Sequence, residues 1–87
     1  MRVLVIEDEP LLAEAIVTGL RREGMAVDVG FDGAVATELV AVNDYDVVVL
    51  DRDLPRLHGD DVCRFIVNER PSTRVLMLTA SGQVSDR

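Results

Sequence analysis

The sequence predicts an α/β domain built on a parallel sheet, and three observations lead to that fold class. Short apolar runs alternate with segments of helical periodicity in the order β α β α β α β, which is typical of a doubly wound sheet with right-handed crossovers. Residues 47–50 form an apolar run without polar alternation, as expected for a strand buried on both faces. Acidic residues directly follow two of the predicted strands, at the edge where open α/β sheets bind ligands.

The first half of the chain contains two predicted strands, each followed by a helix. Residues 2–6 form an apolar run that ends at an acidic pair, and Pro10 then suits the first turn of a helix. That helix carries an apolar stripe at four-residue spacing and ends before Gly24. Residues 25–30 alternate weakly, which indicates a strand near the sheet edge, and residues 34–42 form the second predicted helix.

The second half repeats this pattern around the central strand. Residues 47–50 end at an aspartate, and a loop with a proline and a glycine leads to a third helix, for which Asp60 or Asp61 is the expected N-cap. A fourth strand is predicted over residues 74–78. The last residues, 83–87, are interpreted as the start of another helix that the sequence does not complete.

Composition excludes several classes of function. Sixteen acidic residues against nine basic ones, all arginine, give a net charge of −7 over 87 residues. This charge argues against a nucleic-acid or anionic-membrane surface and favours metal cations or basic partners. Cys63 is the single cysteine, which excludes an intramolecular disulfide, and no apolar run approaches the ~18 residues of a membrane span. With no signal-peptide core at the amino terminus, a cytoplasmic protein is expected.

Polar residues that follow three of the predicted strands are candidates for a common site. They are Glu7 and Asp8 after the first strand, Asp51 after the third and Thr79 after the fourth. An acid at a strand end is often only a turn or cap former, but parallel strand ends converge on one edge. Three adjacent carboxylates would repel one another and raise one another's pKa values unless a cation lies among them. Mg²⁺ suits such oxygen ligands.

These residues closely resemble the receiver domain of two-component response regulators, and the resemblance covers the whole chain. The residues that carry it are Glu7, Asp8, Asp51, Asp53, Leu54, Pro55, Gly59, Thr79 and Ala80. It implies a flavodoxin-like sheet with strand order 2-1-3-4. The family's fifth strand and last two helices are then missing, so residues 1–87 are expected to be the amino-terminal part of a receiver domain.

The resemblance also implies a role for each acid. Asp51 would accept a phosphoryl group from a phosphohistidine on a sensor histidine kinase. Asp8 and Asp51 would ligate Mg²⁺ together with the backbone carbonyl of Asp53, while Glu7 would hold the ion through water. In-line phosphoryl transfer needs positioning and charge neutralisation more than covalent help, which agrees with these roles.

Further residues are assigned to the phosphoryl group and the loop. By the same resemblance, Thr79 and the backbone N–H of Ala80 would bind phosphoryl oxygens. Pro55 and Gly59 would shape the loop, proline by fixing φ and glycine by adopting backbone angles that other residues resist. The family's lysine at the end of its fifth strand has no counterpart, because the chain contains no lysine.

The resemblance extends to partners outside the chain. The pattern over residues 51–59 most resembles regulators with a carboxy-terminal winged-helix DNA-binding domain, so a transcriptional output is expected through a domain that these residues do not include. Without a fifth strand, residues 75–78 would leave an exposed apolar edge, and sheet surface beside the first helix would be uncovered. A homodimer or larger assembly through these surfaces is therefore expected.

Two other hypotheses compete with a non-enzymatic phosphoacceptor. A haloacid-dehalogenase-type aspartyl-phosphate hydrolase fits the Asp51-x-Asp53 motif, but those enzymes have a lysine and a longer chain, and the scheme has no place for Glu7 and Asp8. The third hypothesis is an inert fragment with an incomplete site. Turnover of a phosphate ester, Mg²⁺ binding without turnover, or neither would distinguish the three.

Overall fold

The computed structural model confirms the predicted alternation of strands and helices. It describes residues 1–54 and 57–78, together with the backbone of residues 84–86. The elements are β1 (Arg2–Ile6), α1 (Pro10–Arg22), β2 (Ala26–Gly30), α2 (Gly33–Val42), β3 (Val47–Asp51), α3 (Gly59–Glu69), β4 (Arg74–Leu78) and β5 (Val84–Asp86). In the part of the chain that is described, no helix has the length and apolarity that crossing a bilayer requires.

The sheet has the strand order β2-β1-β3-β4-β5. The first four strands are parallel, which confirms the predicted order 2-1-3-4. Leu4 pairs with Val48 and Val48 pairs with Val75, so one apolar row crosses three strands. All three side chains are fully buried, and burying an aliphatic side chain of this size contributes about 1.5–3 kcal/mol.

The side chains of β1 alternate between two apolar clusters, one on each face of the sheet. Leu4 and Ile6 belong to the larger cluster, which includes residues of α2 and α3. Val3 and Val5 belong to the smaller one, to which Val17 of α1 contributes. Both faces of β1 are thus covered by helices, which explains why its sequence is apolar without alternation.

The prediction of a helix start at residues 83–87 is wrong for the described residues. Val84–Asp86 form β5, which pairs antiparallel with Leu76, Met77 and Leu78 of β4. The unpaired N–H and C=O groups of an edge strand favour pairing with a nearby segment. Only residues 79–83 separate the two strands, which permits antiparallel pairing, whereas a parallel crossover needs roughly a dozen residues or more. The expected free edge of β4 is therefore occupied over Leu76–Leu78.

The start of α3 also differs from the prediction. His58 is the N-cap, and its Nδ1 accepts a hydrogen bond from the backbone N–H of Asp60 at 3.2 Å. Asp60 and Asp61 lie inside the first turn, where carboxylates are stabilised by the positive end of the helix dipole. The helix begins with Gly59, two or three residues earlier than an Asp60 or Asp61 cap would give. By contrast, Pro10 starts α1 as predicted.

A polar network closes the amino-terminal edge of the sheet. The Tyr45 hydroxyl donates to Asp28 Oδ2 at 2.7 Å, and Arg2 Nη2 donates to the same oxygen at 3.2 Å. The Arg2 guanidinium also lies over the Tyr45 ring, 5.1 Å from its centroid. Burial raises the pKa of Tyr45 to about 12, and the hydrogen bond to Asp28 acts in the same direction. These contacts join β1, β2 and the start of β3.

Replacing Tyr45 with phenylalanine tests this network. Tyr45→Phe is expected to lower the free energy of unfolding by about 1 kcal/mol, because Asp28 loses a hydrogen bond from a buried side chain. Urea unfolding measures the change. The control is Arg64→Ala, which removes an exposed ion pair with Asp61 and is expected to cost less than about 0.5 kcal/mol. Equal stability of Tyr45→Phe and the unmodified chain would contradict the assigned contribution.

Candidate phosphoacceptor and metal site

The pairing of β1 with β3 brings the predicted acids together. Ile6 pairs with Leu50 in parallel register, so Glu7 and Asp51, the next residues of each strand, emerge side by side at the carboxyl edge. Asp8 follows directly. One carboxylate oxygen from each of the three acids lies within 4.8 Å of those of the other two. The sequence predicted this gathering from the strand ends alone.

The three acids differ in exposure. Glu7 is only 6% exposed, while Asp51 is half-buried and Asp8 is exposed. The backbone N–H of Glu7 donates to the Gly30 carbonyl of β2 at 3.1 Å, which holds Glu7 in line with the sheet. The backbone N–H of Asp8 donates to Glu7 Oε2 at 3.0 Å. The cluster is therefore buried on the Glu7 side and open to solvent on the Asp8 side.

Burial raises the pKa of Glu7 to about 7 from an ordinary value of 4.5. A hydrogen bond with the Asp51 carboxylate and repulsion from Asp51 and Asp8 raise it further, against the smaller effect of the Asp8 N–H. At neutral pH Glu7 thus keeps its proton for part of the time. A cation among the three acids would replace that proton and remove the repulsion.

The donor set fits a hard divalent cation. Three carboxylates at mutual distances of 4.8 Å or less supply oxygen ligands of the type Mg²⁺ prefers. Mg²⁺ usually takes one or two protein carboxylates and keeps several waters, and the exposed position of Asp8 leaves room for them. The residues present therefore fit a magnesium site.

The loop after Asp51 is fixed by backbone hydrogen bonds. The N–H of Arg52 donates to the Leu78 carbonyl at 3.0 Å, which continues the β3–β4 pairing past the strand. The N–H of Asp53 donates to Asp51 Oδ1 at 3.1 Å, and the N–H of Gly59 donates to the Arg52 carbonyl at 2.9 Å. The Asp51 side chain is thereby oriented by its own loop.

Gly59 shapes this loop for a different reason from the expected one. Among the described glycines, a positive φ occurs at Gly24, so Gly59 does not need unusual backbone angles. A Cβ at Gly59 would instead lie 2.6 Å from the Arg52 carbonyl oxygen and 2.7 Å from that of Asp51. Glycine is required because the start of α3 approaches the end of β3 so closely.

Several predicted site residues are not gathered with the acids or are not described. The Asp53 side chain is exposed, and the role of its carbonyl as a metal ligand stays a prediction. Pro55, Thr79 and Ala80 lie outside the described residues, so their expected roles also stay predictions. His58 is the site-proximal residue whose role the sequence missed, although two acids in the following turn are a signal that a helix starts upstream.

Comparison with protein families decides the identity of the fold. The family described as response regulator receiver domain matches residues 3–87. The chain belongs to this family. The match supports the receiver domain and gives no support to the haloacid-dehalogenase alternative.

A curated relative of this receiver domain is the transcriptional regulatory protein CutR of Streptomyces coelicolor. The two are 75% identical over 87 residues, which are the whole of this chain and 40% of CutR. The receiver domain thus spans about two fifths of that relative's length. CutR is by name a transcriptional regulatory protein. This agrees with the resemblance of residues 51–59 to regulators that carry a DNA-binding domain.

Two solved structures of one response regulator superpose closely on the receiver domain. TrrA from Thermotoga maritima in complex with Mg²⁺-BeF is 32% identical, with a TM-score of 0.86 over 91% of this chain and 69% of that one. The complex of histidine kinase ThkA with TrrA gives 30% identity and a TM-score of 0.86, over 94% of this chain and 71% of that one. Both similarities support the receiver-domain fold of this chain.

The raised pKa of Glu7 predicts an unusual pH dependence of stability without metal. Below pH 4.5 Glu7 is protonated in both the folded and the unfolded chain, and as pH rises towards about 7 the unfolded chain loses the proton first. The free energy of unfolding is therefore expected to fall across this window, by on the order of 3 kcal/mol in total. Urea unfolding in a chelator at several pH values measures it.

Two glutamine variants separate Glu7 from the other acids. Glu7→Gln is expected to remove the decrease in the free energy of unfolding with pH, since the glutamine amide does not titrate. Glu9→Gln changes an exposed neighbour that makes no side-chain cap and should keep it. A pH profile of Glu7→Gln that parallels that of the unmodified chain would show that Glu7 is not the group responsible.

Proposed function

We propose that this receiver domain accepts a phosphoryl group on Asp51 from a phosphohistidine of a sensor histidine kinase, with Mg²⁺ held by the acidic cluster. The observation that carries the proposal is the gathering of Glu7, Asp8 and Asp51, with carboxylate oxygens within 4.8 Å, at the carboxyl edge of a parallel sheet. Open α/β sheets bind ligands at this edge.

Asp51 is the nucleophile in this proposal. One of its carboxylate oxygens attacks the phosphorus, the P–N bond to the kinase imidazole breaks, and the imidazole nitrogen keeps the electron pair. The product is an acyl phosphate. Asp51 is half-buried at the end of β3, and the N–H of Asp53 binds its Oδ1. That bond limits rotation of the carboxylate and favours attack through the other oxygen, Oδ2.

Asp8 and Asp51 are proposed to ligate the ion directly with the carbonyl of Asp53, and Glu7 to hold it through water. Mg²⁺ in this position supplies neutralisation of the charge on the transferring phosphoryl oxygens. Glu7 contributes negative charge from beneath the site, where it is 6% exposed. Support comes from the acidic donor set and from the similarity to TrrA, whose structure holds Mg²⁺-BeF.

The partners and output are proposed on the basis of similar proteins. ThkA, a histidine kinase, forms a complex with TrrA, and CutR is a transcriptional regulatory protein. We infer that this chain receives its phosphoryl group from such a kinase and controls transcription through a DNA-binding domain outside residues 1–87. In this account the chain is a regulatory phosphoacceptor and not an enzyme. A cytoplasmic location remains a prediction.

Self-association also remains a prediction, and only one of its two expected surfaces is still available. Pairing with β5 occupies the edge of β4 over Leu76–Leu78, so this edge no longer supports it. On the face of the sheet that α1 partly covers, Val47 and Val49 pack against the smaller core cluster but are only half-buried. A second copy of the chain would bury this apolar surface.

A small phosphodonor tests the phosphoacceptor without the kinase. Incubation with acetyl phosphate and Mg²⁺ is expected to add ~80 Da, the mass of one phosphoryl group, as an acyl phosphate. Asp51→Asn should abolish the adduct. Asp53→Asn is the matched control, because it changes an exposed carboxylate two residues away and keeps the backbone carbonyl. Intact-protein mass spectrometry reads the result.

The other outcomes distinguish the alternatives. An adduct that persists in Asp51→Asn would place the phosphoacceptor elsewhere. No adduct despite Mg²⁺ binding would indicate that residues 1–87 form a metal cluster that cannot react alone. Repeated turnover of p-nitrophenyl phosphate would support a hydrolase instead.

A further inference from the structure

The first residue of α2 presses against the loop that follows the phosphoacceptor strand. Gly33 is buried, and a Cβ at this position would overlap the backbone carbonyl oxygen of Leu57. It would also lie 2.7 Å from Leu57 Cβ and 2.9 Å from Val62 Cγ2. Because real Cβ atoms do not approach other atoms this closely, any other residue at Gly33 must displace its neighbours.

Rotation of side chains cannot relieve this contact. The nearest atom belongs to the Leu57 backbone, and Val62 is fully buried in α3. Gly30 presents the opposite case, since a Cβ there would meet only the ends of the Ile6 and Val35 side chains, at 2.9 Å each. At Gly33 the Leu57 segment itself has to move.

Leu57 belongs to the short loop that carries Asp53. Between these residues Leu54 is buried in the larger core cluster, at 8% exposure. Beyond Leu57, the N–H of Gly59 binds the Arg52 carbonyl at 2.9 Å. Leu54 holds the loop next to Asp53. Because Leu57 lies two residues before Gly59, a displacement of Leu57 reaches the Arg52–Asp53 peptide through the Gly59 hydrogen bond.

The cap of α2 fixes the position of Gly33 in turn. Asp32 is the N-cap, and its Oδ1 accepts a hydrogen bond from the N–H of Val35 at 2.9 Å. The Asp32 carbonyl accepts from the N–H of Ala36 at 3.2 Å. These hydrogen bonds hold the first turn of α2, and with it Gly33, in position against Leu57.

We propose that Gly33 is a positioning residue of the phosphoacceptor site. Its missing Cβ allows Leu57 to contact the start of α2, and this contact fixes the position of the Asp53 backbone relative to Asp51. This inference rests on the proposed function, because it assigns the loop's position to the metal and phosphoryl chemistry of Asp51. Gly33 would contact neither the metal ion nor the phosphoryl group and acts through the Leu57 backbone.

The test compares Gly33→Ala with two controls in the 87-residue chain. Gly19→Ala is the same substitution in a helix where no atom lies within 4 Å of the new Cβ. Val40→Ala removes fully buried side-chain volume near the other end of α2 and so lowers stability without changing the contact between residue 33 and Leu57. Mg²⁺ affinity is measured by calorimetry, and the backbone amide resonances of Asp53 and Gly59 are measured in the metal-free chain.

Gly33→Ala is expected to weaken Mg²⁺ binding by about tenfold, the size of effect seen when groups that orient metal ligands are removed. It should also shift the Asp53 and Gly59 amide resonances. Both controls should bind Mg²⁺ like the unmodified chain and leave these resonances in place. A purely structural role would make Gly33→Ala behave like Val40→Ala.

Unchanged Mg²⁺ affinity and unchanged resonances in Gly33→Ala would overturn this inference alone. An unmodified chain that binds no Mg²⁺ would overturn the proposed function and this inference together. If Gly33→Ala does not fold, Asp32→Ala replaces it, since losing an N-cap is a milder change. Asp32→Ala should speed hydrogen exchange at the Asp53 and Gly59 amides more than Val40→Ala does, and no such excess would overturn the inference.

Discussion

The parallel pairing of β1 with β3 is the constraint on which the rest of the site depends, because it holds Glu7 beside Asp51 against their mutual repulsion. The pairing is maintained by fully buried apolar side chains, among them Leu4, Ile6 and Leu50. The same burial withdraws Glu7 from water and raises its pKa to about 7. The core therefore holds carboxylates close together and partly out of water, and their repulsion makes binding of a cation at this edge favourable.

Much of the architecture and of the acidic cluster could be predicted from the sequence. Unbroken apolar runs such as residues 47–50 indicate strands buried on both faces, and alternating strands and helices imply parallel pairing. Parallel pairing in turn places the residues after each strand on one edge. Glu7, Asp8 and Asp51 could thus be assigned to one site before any distance between them was known.

The remaining features depend on approaches in space that a local pattern does not encode. β5 forms because the edge of β4 is unpaired and the segment that pairs with it follows after only a few residues. His58 caps α3, although aspartate is the more usual N-cap residue and two aspartates follow it. Gly59 looked like a residue needed for its backbone angles, but it is needed for space beside Asp51 and Arg52. Gly33 has a similar role beside Leu57.

Proton release on Mg²⁺ binding tests the central claim most directly, because a cation among the three acids favours the charged form of Glu7 and displaces its proton. With a pKa of about 7, Glu7 is half-protonated at pH 7 in the metal-free chain. Calorimetric titration in buffers of different ionisation enthalpy counts the protons released. The account predicts about half a proton per Mg²⁺ at pH 7, and almost none two units higher, roughly pH 9. A binding enthalpy at pH 7 that is independent of the buffer would contradict it.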